Sequence, residues 1–140
     1  MKRALENGYE LDDDRSRIDR TAVHAFLTRS YWAEGRTRAR QGELIDGSAR
    51  TVGLYHGADQ VGFARVVDCD AAGFVYLADV YVLEEHRGRG LGLELVREAV
   101  ENGPHAGRRW VLHTRDMHAL YSKLGFGPNE RLMERAATTR

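Results

Sequence analysis

The chain has 140 residues, and its 21 lysines and arginines balance its 21 aspartates and glutamates. This length favours a single domain over residues 1–140, and the lack of net charge argues against nucleic acid or an anionic membrane as partner. One cysteine excludes an internal disulfide, no apolar run reaches membrane-spanning length, and Met1 to Glu6 lacks a signal-peptide core. We therefore expect a soluble, cytoplasmic protein.

The hydrophobic pattern alternates between strand and helix periodicities without an internal repeat. Asp19 is a suitable N-cap for the first helix, and Asn102-Gly103-Pro104 ends the longest one. In chain order, the predicted elements are a strand at 9–11, a helix capped by Asp19, a weaker helix at 36–44, strands at 51–55, 61–67 and 74–83, a helix at 91–101, a strand at 110–113, a short helix before Gly125 and an edge strand at 131–135.

The stretch from Asp79 to Gly92 is the most informative part of the sequence. An apolar strand runs into the turn Arg87-Gly88-Arg89-Gly90-Leu91-Gly92, which opens directly onto an amphipathic helix. Backbone N–H groups at a helix N-terminus bind phosphate, and glycines let the ligand approach the main chain closely. The glycine spacing differs from the dinucleotide fingerprint, and the Gly-Lys-Ser/Thr of a P-loop is absent. The turn therefore predicts a different phosphorylated cofactor, with a purely structural turn as the alternative.

The turn has the form Arg/Gln-x-x-Gly-x-Gly/Ala and resembles the acetyl-CoA pyrophosphate loop of the GNAT N-acetyltransferase superfamily. The later segment from His118 to Phe126 resembles the superfamily's A-x-x-Y-x-x-x-G-F helix. It predicts a short helix with Asp116 as N-cap and Gly125 in the left-handed conformation after its end. Tyr121 alone would more often be one more half-buried aromatic, but its place in this motif favours a functional role.

The resemblance covers nearly the whole chain and implies an α/β (α+β) fold, a central, mixed, twisted sheet of about six or seven strands flanked by about four helices. It also implies that the strand before the glycine turn and the next strand splay apart, with the pantetheine arm of acetyl-CoA in the gap. Glu84 stands where the family often has proline. The residues implied to hold acetyl-CoA are Val80, Tyr81 and Val82 through their main chain, and Arg87, Gly88, Arg89, Gly90, Leu91, Gly92 and Leu93 around the pyrophosphate.

The implied activity is acetyl-CoA-dependent acetylation of a primary amine of a small molecule, by direct transfer in a ternary complex. Such a transfer needs a base for the ammonium, a donor for the developing oxyanion and a proton for the CoA thiolate. The resemblance gives the last role to Tyr121, and the backbone N–H of Val82 is the expected oxyanion donor. No metal is needed, and His113 and His118 lack ligand spacing with a third residue, so no metal site is expected.

The identity of the base is open between two interpretations of Asp79. Its place in an apolar run would raise the pKa of this carboxyl by desolvation unless it is paired, which suits a base working near neutrality. The alternative is a structural aspartate bonded to neighbouring main-chain amides. Glu84 and His86 are further candidates at turn positions, and His24 is expected to be a surface or capped histidine.

The acceptor pocket is expected around Tyr31, Trp32, Glu34 and Arg36, which fall where the family's first two helices wall that pocket. Glu34 is suited to an ammonium and Arg36 to a carboxylate, which favours a small, amino-acid-like amine. The alternative for Trp32 is burial beneath the sheet edge.

Two other functions stay open at this level. A catalytically silent acyl-CoA-binding module would need neither Tyr121 nor Asp79. An acetyltransferase for a protein lysine or N-terminus would need an open groove instead of a closed pocket. The resemblance also allows a homodimer, since dimers are frequent in the superfamily.

Overall fold

The computed structural model describes residues 1–138. Six strands form one sheet in which the spatial order of the strands equals their order in the chain. All neighbours are antiparallel except the last two, which are parallel. The elements are β1 (Lys2–Ala4), β2 (Tyr9–Asp12), α1 (Arg20–Leu27), α2 (Arg38–Gly47), β3 (Arg50–His56), β4 (Asp59–Cys69), β5 (Phe74–Val82), α3 (Leu91–Glu101), β6 (Trp110–Val111) and α4 (His118–Ser122).

Local capping explains where the first two helices begin. The Asp19 side chain accepts a hydrogen bond from the N–H of Ala22, and the Thr37 side chain accepts one from the N–H of Arg40. Each cap satisfies a backbone donor that has no partner inside its helix. The predicted Asp19 cap is therefore confirmed, and the second helix begins two residues later than expected.

Helices cover both faces of the sheet, which divides the core into two clusters. On one face α3 packs its apolar side, including Leu95 and Ala99, against strand residues such as Val66. On the other face α1 and α2 contribute Val23, Leu27 and Ile45, which pack with Phe63 and Tyr81. The predicted mixed α/β architecture with about four helices is confirmed.

A β-bulge interrupts β5 at Asp79. Phe63 of β4 pairs with Tyr81 and Arg65 pairs with Ala78, so two residues of β5 lie opposite one residue of β4. Asp79 has φ 56°, a left-handed conformation that few non-glycine residues adopt. The bulge reverses the alternation of faces along the strand and aims the Asp79 side chain towards the α1–α2 side.

The sheet opens between β5 and β6. The two strands pair only at Val75 with Trp110 and at Tyr76 with Val111. Beyond this point the rest of β5 has no β6 partner within residues 1–138, and β6 ends two residues earlier than the sequence predicts. The gap implied by the family resemblance is therefore present beside the C-terminal half of β5.

One strand was missed by the sequence analysis, and one strand that it predicted does not form. β1 was missed because its three residues show no alternation; it forms because Asn7 and Gly8, with φ 61° and 82°, reverse the chain onto β2. The edge strand predicted at 131–135 does not form. Leu132 and Met133 are 52% and 94% exposed, so this segment has no burial to offset the cost of ordering it on the two-residue β6.

Within residues 1–138, none of the helices combines the length and the apolarity that crossing a membrane requires.

Candidate active site

One cavity of about 1080 Å³ follows the open edge of β5. The α1–α2 loop, the glycine turn and the segment from His113 through α4 complete its walls. Most of the predicted site residues lie in its lining, although they come from four separate stretches of the chain. They are Tyr31, Trp32, Arg36, Asp79, Val80, Tyr81, Val82, Arg87, Gly88, Gly90, Gly92, Leu93 and Tyr121.

Three predicted residues lie elsewhere. Arg89 and Leu91 line a smaller hollow of about 570 Å³ between the glycine turn and the β1–β2 turn, and this hollow shares Gly90 and Leu93 with the main cavity. The structure does not bring Glu34, which was expected in the acceptor pocket, into the lining of the main cavity. Ala33 is the buried residue of its loop, and Glu34 is exposed outside both cavities.

The glycine turn presents backbone donors at the start of α3. Gly88 and Gly90 have φ 78° and 77°, and a Cβ at either position would meet no protein atom within 4 Å. Glycine is therefore required here by the backbone conformation and not by packing. Gly90 is the N-cap, and its carbonyl accepts the first helical bond from Glu94 at 3.2 Å. The N–H groups of the first helical turn consequently have no partner inside the helix and point out of its end.

The Arg87 side chain ties the turn to the end of β5. Its Nε donates to the carbonyl oxygen of Val82 at 2.8 Å. This bond fixes one end of the loop. It also uses one of the two acceptor positions of the Val82 carbonyl oxygen.

The register of β5 decides which main-chain groups face the gap. The N–H of Leu83 donates to Val61 on β4 at 2.8 Å, and Val82 lies opposite Gly62. Antiparallel pairs alternate, so the polar groups of Val82 point away from β4, whereas those of Tyr81 point towards it. The implied contribution of Tyr81 to the pantetheine site through its main chain is therefore opposed by the register.

Asp79 is held by three side-chain donors. Trp32 Nε1 donates to its Oδ1 at 2.8 Å, and both Arg36 Nη1 and Arg65 Nε donate to its Oδ2, at 2.7 and 2.6 Å. The carboxylate is 2% exposed. Burial by itself raises the pKa of Asp79, but the charge of Arg65 and the hydrogen bonds from Arg36 and Arg65 outweigh it, and the pKa lies below its ordinary value.

This geometry opposes the interpretation of Asp79 as the base. A carboxylate with a lowered pKa and three donors has little tendency to take a proton near neutrality. The structural alternative agrees with the contacts, although the partners are side chains and not main-chain amides. Arg65 was missed by the sequence analysis; an arginine inside the apolar run 61–67 was the available signal.

Asp79→Asn is expected to lower the free energy of unfolding at pH 7 by roughly 3 kcal/mol or more, because two largely buried guanidinium groups lose their counter-ion. Since the folded-state pKa is depressed, the stabilisation is present above the unfolded-state pKa of about 4 and is lost as the pH falls through the folded-state value. Urea unfolding at several pH values measures it. Asp46→Asn, which removes an exposed pair with Arg20, should leave the stability unchanged; equal stability of both variants would contradict the structural role.

The loop between α1 and α2 contacts the segment before α4 across the cavity. The Tyr31 hydroxyl accepts a hydrogen bond from the N–H of Arg115 at 3.2 Å, and the Arg115 guanidinium lies 3.8 Å from the centroid of the Tyr31 ring. Tyr31 and Trp32 are 49% and 41% exposed. Burial of Trp32 beneath the sheet edge is therefore excluded, and both aromatics form a wall of the cavity.

Tyr121 projects from α4, a short helix held by its C-terminal geometry. Gly125 has φ 88°, its N–H donates to Ser122, and the N–H of Phe126 donates to the Tyr121 carbonyl at 3.2 Å. This is a Schellman ending, as predicted for Gly125. The predicted Asp116 cap was wrong: the N-cap is Met117, and the Thr114 hydroxyl accepts its N–H at 3.0 Å.

The Tyr121 phenol lies in the wall of the cavity. Its ring packs edge-on against Phe126 with centroids 5.8 Å apart. Burial raises the pKa of Tyr121 to about 12, so the hydroxyl stays protonated at neutral pH.

A tyrosine–histidine pair in the cavity wall was also missed. The Tyr76 hydroxyl is in hydrogen-bond contact with Nδ1 of His113, and both residues line the cavity. The pKa of Tyr76 is raised by burial.

His86 and Glu84, the further candidates for the base in the sequence analysis, lie outside the cavity lining. His86 contacts the Tyr9 hydroxyl at 2.7 Å, and Glu84 is exposed.

His24 has a structural place, as expected. Its Nε2 lies 2.7 Å from the carbonyl oxygen of Arg36, so it helps to hold the α1–α2 loop.

In the part of the chain that the structure describes, no group of three or more His, Cys, Asp and Glu side chains could hold a metal ion.

A sheet that opens beside a glycine-rich helix N-terminus, with a tyrosine in the same cavity, is the arrangement that the sequence resemblance implies for an acetyltransferase. The model of the acetyltransferase (GNAT) family matches residues 9–126. The chain belongs to this family, whose members typically use acetyl-CoA.

Individual relatives agree with the family assignment. A candidate GNAT acetyltransferase from Xanthomonas campestris is 37% identical, with a TM-score of 0.83 over 92% of this chain and 93% of that one. A candidate acetyltransferase of Gibberella zeae, FG08082, is 41% identical over 70 residues, which are 48% of this chain and only 39% of that protein. A candidate acetyltransferase from Deinococcus radiodurans, 17% identical with a TM-score of 0.72 over 96% of this chain and 93% of that one, shares the fold.

Proposed function

We propose that the chain is an acetyl-CoA-dependent N-acetyltransferase that acts on a primary amine of a small molecule. The observation that carries this proposal is the continuity of the main cavity, which runs from Gly88 and Gly90 past Val82 and Tyr121 to Asp79. Cofactor and acceptor therefore have room to bind together, as direct transfer in a ternary complex requires. Cys69 does not line this cavity, so we propose no acyl-cysteine intermediate.

The residues present fit acetyl-CoA. The unpaired N–H groups at the start of α3, in a turn kept open by Gly88 and Gly90, suit a pyrophosphate, and the gap beside β5 suits the pantetheine arm. Main-chain groups of Val80 and Val82 are the proposed partners of that arm. Bound there, acetyl-CoA supplies a thioester whose carbonyl carbon a neutral amine attacks.

Two donors serve the reacting group. In the overall reaction the C–N bond forms, the C–S bond breaks, the amine loses one proton and the sulfur gains one. The Val82 N–H, which the register turns towards the gap, stabilises negative charge on the carbonyl oxygen. The Tyr121 hydroxyl, protonated because burial raises its pKa to about 12, delivers the proton to sulfur.

The proton of the amine requires a separate acceptor, because Asp79 is engaged by its donors. Tyr76 and Val82 are six residues apart on β5, so the proton reaches the Tyr76 hydroxyl through water in the cavity, while the proton of this hydroxyl passes to Nδ1 of His113. His113 is 61% exposed, so its imidazole exchanges the proton with water. Imidazole is the common general base in enzymes working near neutral pH.

Tyr76→Phe is expected to lower kcat at least about 10-fold at neutral pH with unchanged affinity for CoA, because the phenyl ring cannot relay a proton. His113→Gln should have a similar effect. If the two residues act as one relay, the double variant is no slower than either single one. Effects that multiply in the double variant, or no effect of Tyr76→Phe, would remove the pair from the mechanism. Thiol release at saturating substrates measures these rates.

The function is tested by thiol release from acetyl-CoA over a panel of small amines, polyamines, aminoglycosides and lysine peptides, with CoA binding measured by calorimetry. Turnover on small amines supports the proposal. Turnover on peptides alone would identify a protein acetyltransferase. CoA binding without turnover on any acceptor would indicate a silent acyl-CoA-binding module, and failure to bind CoA would contradict the cofactor assignment.

A further inference from the structure

The acceptor end of the cavity has more cationic than anionic groups. Arg36 and Arg65 share the single carboxylate of Asp79, so the three side chains together carry one net positive charge. Their exposure is low, 16% for Arg36 and 11% for Arg65. A buried net charge is costly unless a counter-ion joins it, and this surplus is placed in the wall of a cavity.

Arg65 has donors left over after it binds Asp79. Only its Nε donates to the carboxylate, and neither terminal nitrogen has a hydrogen-bond partner within residues 1–138. Arg65 lines the cavity and its terminal nitrogens are not sealed off from solvent, so they are accessible to a ligand bound there. The bond to Asp79 fixes the plane of the guanidinium, which leaves its far edge oriented for a second anion.

No further acidic side chain in the cavity lining is paired with Arg36 or Arg65. Among the lining residues described, Asp79 and Asp116 are the only carboxylates, and Asp116 is exposed in the segment before α4. Arg115 adds a further cation at the Tyr31 wall. An acceptor with a second positive group would meet repulsion here, whereas an anionic group would find a prepared partner.

We infer that the acceptor is an amine that also carries an anionic group, which binds to Arg65 with Arg36 beside it. This inference rests on the proposed function. Asp79 and Val82 are three residues apart, so at most about 11 Å of main chain separates them. A short molecule therefore spans the site, with its anionic end at the guanidinium groups and its amine directed towards Val82.

The test compares ω-amino carboxylates of increasing chain length with alkylamines of the same length, and with the corresponding aminoalkyl phosphonates. We expect kcat/KM for the best carboxylate or phosphonate to exceed that of its matched alkylamine about 10- to 100-fold, the effect of one charge-assisted contact. Whichever anion is preferred identifies the acidic group. Equal or better turnover of the alkylamines would overturn the inference and leave the proposed N-acetyltransferase intact.

The binding of acetylated products to the protein tests the inference even if no acceptor in the panel is turned over. The N-acetylated products of the same carboxylates and alkylamines are titrated into the CoA complex by calorimetry. We expect the acidic products to bind more tightly, whether or not any amine in the panel reacts. Tighter binding of the acidic products without turnover of any amine would count against the proposed function and not against the anion site. Equal binding of both product series would overturn the anion site.

The Arg65→Gln variant tests whether Arg65 is the residue that binds the anionic group of the acceptor. This variant should lose most of the preference for acidic acceptors while keeping the wild-type affinity for CoA. Arg40→Gln, which removes an exposed cation paired with Glu43 on α2, should keep the preference. A preference that survives in Arg65→Gln would overturn the assignment of Arg65. If Arg65→Gln does not fold, shown by lost CoA binding, the comparison of products on the wild-type protein decides the inference.

Discussion

Tyr121→Phe is expected to lower kcat by about 100-fold or more and to leave the affinity for CoA nearly unchanged. A general acid contributes roughly 10²- to 10⁴-fold to such reactions, and this substitution removes only the hydroxyl that would supply the proton. The ring should keep its edge-on contact with Phe126, since the phenyl group is the same size. Saturation kinetics by thiol release, together with CoA titration by calorimetry, separate the two quantities.

The control for Tyr121 is a second buried phenol outside the cavity. Burial also raises the pKa of Tyr55 to about 12, and its hydroxyl has no hydrogen-bond partner within residues 1–138. Tyr55→Phe should therefore leave kcat unchanged. A Tyr121→Phe variant that loses CoA binding as much as turnover would show a structural role. Because the pKa of Tyr121 is about 12, ionisation of this group should cause no loss of wild-type activity between pH 7 and 10.

Gly90→Val is expected to weaken CoA binding by more than about 100-fold. Gly90 has φ 77° at the N-cap of α3, a conformation that costs a residue with a Cβ about 1–2 kcal/mol and is least accessible to β-branched side chains. Relief of this strain would turn the N–H groups of the turn away from their common direction. Losing two charge-assisted hydrogen bonds, at roughly 1.5–3 kcal/mol each, accounts for the expected change.

Gly57→Val is the matched control for backbone strain. Gly57 lies in the turn between β3 and β4, has φ 63°, and a Cβ there would meet no atom within 4 Å. The substitution should destabilise the fold about as much as Gly90→Val does, without reducing CoA affinity. Equal loss of affinity in the two variants would show that general destabilisation explains the result. Wild-type affinity in Gly90→Val would contradict the pyrophosphate assignment.

The features that were predicted correctly depend on short stretches of chain. The Asp19 cap, the turn around Gly90 and the helix ending at Gly125 each follow from the backbone preferences of a few neighbouring residues. The predictions at the chain's edges were less successful. β1 depends on a chain reversal at Asn7 and Gly8, and this reversal is stabilised only by the pairing of β1 with β2. The segment 131–135 pairs with no strand and stays exposed.

The sequence by itself determined the class of fold and the two motifs that contain Gly90 and Tyr121, because both motifs are local in the chain. Only the tertiary structure decided the partners of Asp79. The bulge in β5 brings it against Arg65 and Arg36, which are 14 and 43 residues away in sequence. Sheet register sets such contacts, and no local pattern specifies it at a bulge. A buried carboxylate was foreseeable from its apolar neighbours, whereas the two arginines that lower its pKa were not.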